Sequence, residues 1–259
     1  MKKIYAASIL ILLFTISCKE DHYKDIPFDK PHWDASDYEN TAQSIIFGTP
    51  EGEQFPGINN RPEIFNRIID KENINGVLED NSLGLKFRNE FAESVFKVSR
   101  DLLSAYSSLD RQDKFIYPSE LIKLREWGFF VQLKYFKLGN EEILKDVVNP
   151  EDNSVKSVIH SNEQTLIDNF EYGIEFANKE DALTEETVTE YAKVIDDYYT
   201  QLLQYYPDGD YTPMLETTVN VSKKIKSAAL KKSLDKLKML IEANSNVKIS
   251  IKAKTDGNQ

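Results

Sequence analysis

The sequence predicts an all-α protein: a bundle of about five to six helices, with an extended N-terminal tether before it and a short C-terminal strand or arm after it. Three observations carry that expectation. Apolar residues recur at three- and four-residue steps through most of 62–245. Ten Gly and nine Pro in 259 residues are too few for the many tight turns of a β-sandwich. The one cysteine, Cys18, leaves no disulfide framework, so packing must hold the body. No exact internal repeat is visible, which favours a single bundle over a short helical-repeat array.

Residues 18–61 show no persistent helical or strand period. Pro27, Pro31, Pro50 and Pro56 interrupt a stretch rich in Asp, Glu and Asn, which reads as a tether. Trp33, Tyr38, Ile45, Ile46, Phe47 and Phe55 make it too aromatic for a free linker, so from about Trp33 it should lie along the body. The Phe47–Gly57 stretch is expected to plug the edge of a core, with ligand contact as the alternative.

The helical domain is expected over 62–245. Pro62 suits the first turn of a short helix carrying Ile64, Phe65, Ile68 and Ile69, ending before Gly76. The next helix covers 87–109, with Phe91, Val95, Val98, Leu102 and Tyr106 on one stripe. A third runs over 119–138 and closes at Gly139; its Trp127-Gly128-Phe129-Phe130-Val131 core is apolar nearly all round, which predicts the centre of the bundle. A shorter helix follows near 141–148. Ser161 and Gln164 form a capping-box pattern for a helix carrying Leu166, Ile167, Phe170 and Ile174. Thr184 caps the next, which runs to Pro207. Thr212-Pro213 opens the longest helix, seamed by Leu230, Leu234, Leu237 and Ile241, and over 246–259 the alternation of Val247, Ile249 and Ile251 with lysines predicts a strand and tail.

A formal net charge of −11 argues against nucleic acid and against general attraction to anionic lipid. Residues 223–254 reverse the sign, with ten lysines against Asp235 and Glu242. A lysine face docked on an acidic body is the simpler reading, and an acidic partner the other.

Among the residue types that catalysis and metal binding need, histidine and cysteine are sparse in this sequence and poorly spaced for either. His22 and His32 fall in the tether, so no pair of histidines at helical spacing lies in the body. His160 and Glu163 have the wrong order for a di-iron helix motif. No Gly-x-Ser-x-Gly elbow, Walker loop or Gly-x-Gly-x-x-Gly occurs. Asp208-Gly209-Asp210-Tyr211-Thr212 begins like a calcium loop, but Pro213 and Val219 occupy the positions that need Gly and Glu. No catalytic, cofactor-binding or metal-ligating residue is therefore assigned. A carboxylate pair in a cleft needs no spacing signature and stays open. Trp33, Trp127, Tyr198, Tyr199, Tyr205, Tyr206 and Tyr211 could stack on sugars, though the tyrosine pairs fit core plus rim better.

The leader gives the most specific pattern. Met1-Lys2-Lys3 precedes an apolar run from Ile4 to Ile16, then small Ser17 and Cys18. The run is too short for a membrane span, which needs about 20 apolar residues. Thr15-Ile16-Ser17-Cys18 resembles a bacterial lipobox, with Thr15 where many have Leu. That resemblance implies a signal peptide over 1–17, cleavage between Ser17 and Cys18, and diacylglycerol and acyl (palmitate) attachment at Cys18. Lys19-Glu20-Asp21 resembles the signal that sends Bacteroidota lipoproteins to the outer face of the outer membrane. The expectation is a surface-exposed, lipid-anchored outer-membrane protein, acting without catalysis as a binding or structural component of an envelope complex with a protein partner. The alternatives are a glycan- or small-ligand-binding lipoprotein of an uptake system and a carboxylate-dependent hydrolase.

Overall fold

A computed structural model describes residues 22–50, 52–108, 115–145, 147 and 152–244. Among them every regular element is helical. The expected C-terminal strand over 246–259 lies outside the described residues, as do the leader and Cys18.

The first helix, α1 (Ala35–Gly48), falls inside the stretch expected to be an extended tether. Its cue is local. The Asp34 carboxylate accepts from Ser36 and Asp37 N–H, and Asp37 returns the bond to Asp34 N–H. Tyr38, Thr41, Ala42 and Ile45 then form one buried stripe, a period too short to stand out between the flanking prolines. The body starts earlier still, because Tyr23, Ile26 and Trp33 are buried.

After α1 the expected single short helix is two, α2 (Pro62–Ile68) and α3 (Lys71–Leu78). The Asp70 carboxylate accepts from Glu72 and Asn73 N–H and so restarts the helix, with Gly76 inside it. The long helix α4 (Leu85–Ser108) follows as expected.

Next, α5 (Pro118–Lys145) runs 28 residues, straight through Gly139 and into the helix expected separately near 141–148. Residues past Gly139 have partners that reward continuing: Asn140 is buried and accepts from Asn162, and Asn89 donates to Glu142 at 2.5 Å. The expectation that this helix is central holds. Leu121, Leu124, Trp127 and Val131 enter one apolar core, while Ile122, Phe129 and Leu133 enter another.

Helix α6 (Asn153–Glu175) begins at Asp152, so Ser161 lies inside it and is no cap. Its first two turns are largely exposed and carry no apolar stripe, which hid them from a periodicity reading. Gln164 instead grips the backbone of Asp210, donating to its carbonyl and accepting from its N–H, both at 3.2 Å. A 3₁₀ segment, Phe176–Ala182, leads to α7 (Glu185–Val194), capped by Thr184 as expected. A π-turn over Ile195–Tyr199 joins α7 to α8 (Thr200–Tyr205).

The expected longest helix is likewise two, α9 (Thr212–Ser222) and α10 (Ala228–Ala243). The break is held from outside: the buried Glu180 carboxylate accepts from Lys226 N–H at 2.6 Å and Ser227 N–H at 3.1 Å, and Ser227 caps α10. Backbone donors that would be orphaned at the new N-terminus are thus satisfied.

Two cores result. Residues 22–108 pack on one side of α5 around Trp33, Tyr38, Phe65, Phe91 and Trp127. Residues 152–244 pack on the other side around Phe129, Phe170, Tyr191, Tyr199, Leu234 and Ile241.

Candidate functional site

The best-formed concavity lies where α4, α5 and α6 meet. Its volume is about 180 Å³, and its walls include Phe96, Ser99, Arg100 and Leu103 from α4, Arg125, Gly128, Phe129 and Gln132 from α5, and Asn169, Tyr172 and Gly173 from α6. Gly128 leaves room beside Ser99 and Gln132, while Gly173 lets Phe129 and Tyr199 approach α6 closely. Spacing brings the α4 residues together, since positions 96, 99, 100 and 103 share a face.

The lining is cationic and amphipathic in an acidic chain. The Arg125 guanidinium lies 3.8 Å from the Phe176 ring centre, and Arg100 lies 4.9 Å from Phe96. Stacking of this kind holds a guanidinium flat and leaves its N–H edges directed sideways. Ser99 donates to Phe96 O at 2.7 Å. The Gln132 Oε1 is buried without a hydrogen-bond partner, and Tyr172 stands 71% exposed at the rim. Such a set can orient a small polar molecule against an aromatic face. It holds no nucleophile paired with a base, so no acyl-transfer or hydrolytic step is built there.

A second polar cluster joins the two cores. Lys71 of α3 donates to Glu126 of α5 at 2.5 Å and to the Tyr198 hydroxyl at 2.7 Å. Burial alone would lower the Lys71 pKa, but the hydrogen bonds to Glu126 and Tyr198 outweigh it and hold the ammonium above its ordinary value. Burial raises the Tyr198 phenol, and Lys71 opposes this only in part. Both groups keep their protons at neutral pH, so neither serves as a base. The adjoining open groove is lined by Asp196, Asp197, Gln201 and Lys236, with Lys236 3.3 Å from Asp196.

The π-turn shapes this cluster. One extra residue in the turn brings both Tyr198 and Tyr199 inward, 7% and 0% exposed, where core plus rim was expected. At the second pair the expectation holds, with Tyr205 47% exposed and Tyr206 buried.

Other residues singled out by sequence do not converge. His22, His32 and His160 are exposed. Burial, reinforced by Asp208, raises the Glu163 carboxyl, while His160 opposes the shift. Glu163 lines neither cavity above. The Asp208–Thr212 stretch is an inter-helix turn in which Asp210 accepts from Thr212 N–H at 3.0 Å. Among the described residues no three His, Cys, Asp or Glu side chains gather as a metal site would require. Trp33, Trp127 and Tyr211 are fully buried, which removes them as sugar platforms. Phe55 does plug a core edge, 5.1 Å from Tyr106, while Phe47 is exposed. Comparison with protein-family models, curated proteins and solved structures returns no match.

Sequence reading missed Arg100 and Arg125. A usable signal existed: the chain has only six arginines, all within 61–125, and Phe96, Ser99, Arg100 and Leu103 fall on one helical face. Tyr172 carried no signal, because it lies off the apolar stripe of α6.

Proposed function

We propose that this chain is a lipid-anchored outer-membrane protein, facing the cell exterior, that serves as a non-enzymatic binding or structural component of an envelope complex. The observation that carries the reading is the leader ending in Ser17-Cys18, followed by Lys19-Glu20-Asp21. A body with no thiol beyond Cys18, folded by apolar packing on both sides of α5, suits an oxidising envelope without needing disulfides. Acylation at Cys18 with two or three chains gives stable anchoring.

The test is labelled palmitate. Wild-type protein takes up the label and Cys18→Ala does not; equal labelling of both refutes the anchor. Protease treatment of intact cells should digest the body, and full protection would reassign it to the periplasmic side. Hydrolysis of a polysaccharide or peptide, abolished by one carboxylate change, would overturn the non-enzymatic part.

One observation favours glycan binding as a second reading: Tyr172 is exposed beside Arg100 and Asn169 at the mouth of the cleft. Loss of glycan affinity in Tyr172→Ala, with unchanged thermal stability, would promote that reading to first place.

A further inference from the structure

We infer that the pole of the body formed by Tyr23, the end of α1 and the start of α2 rests against the lipid bilayer, with Phe47 as the side chain that enters it. This rests on the lipid-anchor reading and adds the face that the anchor presents.

The point where the chain joins the body is fixed by three contacts. Tyr23 is buried, and its hydroxyl lies 2.6 Å from Thr49 Oγ1. Thr49 spends its own proton on Ile45 O at 2.7 Å, so Tyr23 is the donor. The Arg61 guanidinium covers the Tyr23 ring at 5.5 Å. Arg61 is the one non-glycine among the described residues with positive φ, 59°. That conformation costs an L-residue about 1–2 kcal/mol. The side chain sent from this strained position is the one that clamps Tyr23.

Reach then decides the orientation. From Cys18 to Tyr23 is five residues, which span at most about 18 Å. A small domain is about 30 Å across. An acylated Cys18 in the membrane surface therefore holds the Tyr23–Thr49 pole nearer the bilayer than the body is wide. A tether free as far as about Trp33, as the sequence suggested, could reach about 50 Å and would have imposed no such orientation.

Phe47 sits two residues before Thr49 and is 76% exposed, the highest value among the exposed large apolar side chains of the described residues. Water gains nothing from an aromatic ring there, whereas the bilayer interface favours one. The bilayer is also the only surface that the anchor itself brings to this pole, so it is the occupant inferred.

The test uses the mature acylated protein, residues 18–259, in phosphatidylethanolamine–phosphatidylglycerol vesicles, with and without lipids brominated near the upper acyl chain. Phe47→Trp supplies the probe, and Met239→Trp, 69% exposed on α10, whose buried face belongs to the other core, supplies the control. Trp33 and Trp127 are buried, so added emission is read by difference. Bromine should remove about half or more of the emission at position 47 and leave position 239 unchanged, as expected for an interfacial ring. Equal emission at 47 with and without bromine, or equal quenching at both positions, overturns the inference if palmitate label is present. Absence of label in the wild type overturns the anchor reading together with it.

Discussion

The two sides of α5 are stabilised by different means. On the N-terminal side, α2 and α3 are 7 and 8 residues long, and the connecting backbone is irregular. Its polar groups are satisfied one at a time by side chains from distant elements. Buried Asn73 accepts from Trp33 N–H at 2.9 Å and donates to Trp33 O at 3.2 Å and the Tyr38 hydroxyl at 2.9 Å. Arg67 donates to Lys30 O and Pro31 O, Glu120 accepts from Ile58 N–H, and Tyr117 accepts from Phe55 N–H. On the C-terminal side most backbone is already helical, and the tyrosines lock helix to helix. Tyr191 donates to Gly173 O, Tyr199 to Phe170 O at 2.6 Å, and Tyr211 to Tyr206 O at 2.8 Å. One side thus depends on single polar anchors, and the other on close packing of protonated phenols.

Alkali should expose that difference most strongly. Burial pushes the Tyr191 phenol up to about 12 and raises Tyr198, Tyr199, Tyr206 and Tyr211 as well. On the other side the buried phenols raised in this way are three, Tyr38, Tyr106 and Tyr117. Unfolded chains release tyrosine protons near pH 10, before the folded protein does. The stability these groups contribute is therefore intact below about pH 10 and is lost as pH rises toward the folded values, at up to about 1.4 kcal/mol per pH unit for each phenol. Both tryptophans belong to the N-terminal core, so their fluorescence reports on that side alone. Tyrosinate absorbance that rises while tryptophan emission stays native would separate the halves. Coincident transitions would mean that α5 makes them one cooperative unit.

Next in size come two substitutions, one aimed at each side. Asn73→Leu leaves Trp33 N–H, Trp33 O and the Tyr38 hydroxyl without their partner, and should cost about 3 kcal/mol in urea unfolding. Gly173→Ala drives a methyl group into the Tyr199 hydroxyl and the Phe129 ring, and should cost about 1–3 kcal/mol. Independent halves make the double variant additive within about 0.5 kcal/mol. A larger deviation would show that strain crosses α5.

Legibility in the sequence divides along the same line. Regular packing was visible: the α4 stripe, the all-round apolar Trp127–Val131 stretch and the Thr184 cap announce themselves within a few residues. Long-range polar bonding was not. Nothing near Asn73 says that it serves Trp33, 40 residues away, so the first helix and its attached segment read as a tether. Helix breaks were misplaced for a related reason. Glu180 restarts a helix 46 residues downstream, and Gly139 fails to stop one whose continuation finds Asn89 and Asn162 as partners. The cleft was unread because three helices each give it only a few residues. The leader carried its own signal, and the contacts around Tyr23 turn that signal into an orientation.

The smallest expected effect tests the link between the halves directly. Lys71, Glu126 and Tyr198 join α3, α5 and the π-turn, yet the two charged side chains are 33% and 35% exposed, so solvent screens their attraction. Lys71→Met and Glu126→Gln should each cost about 1 kcal/mol or less, with a coupling of about 0.5 kcal/mol in a double-mutant cycle. The more informative readout is cooperativity. Lys71 carries its charge from one core to a tyrosine of the other, so its removal weakens the contact that crosses α5 without opening a cavity in either core. If that contact helps to bind the halves, Lys71→Met should widen the gap between tyrosinate formation and tryptophan exposure in alkali even where total stability hardly moves. An unchanged gap would assign the coupling to the shared apolar faces of α5 alone.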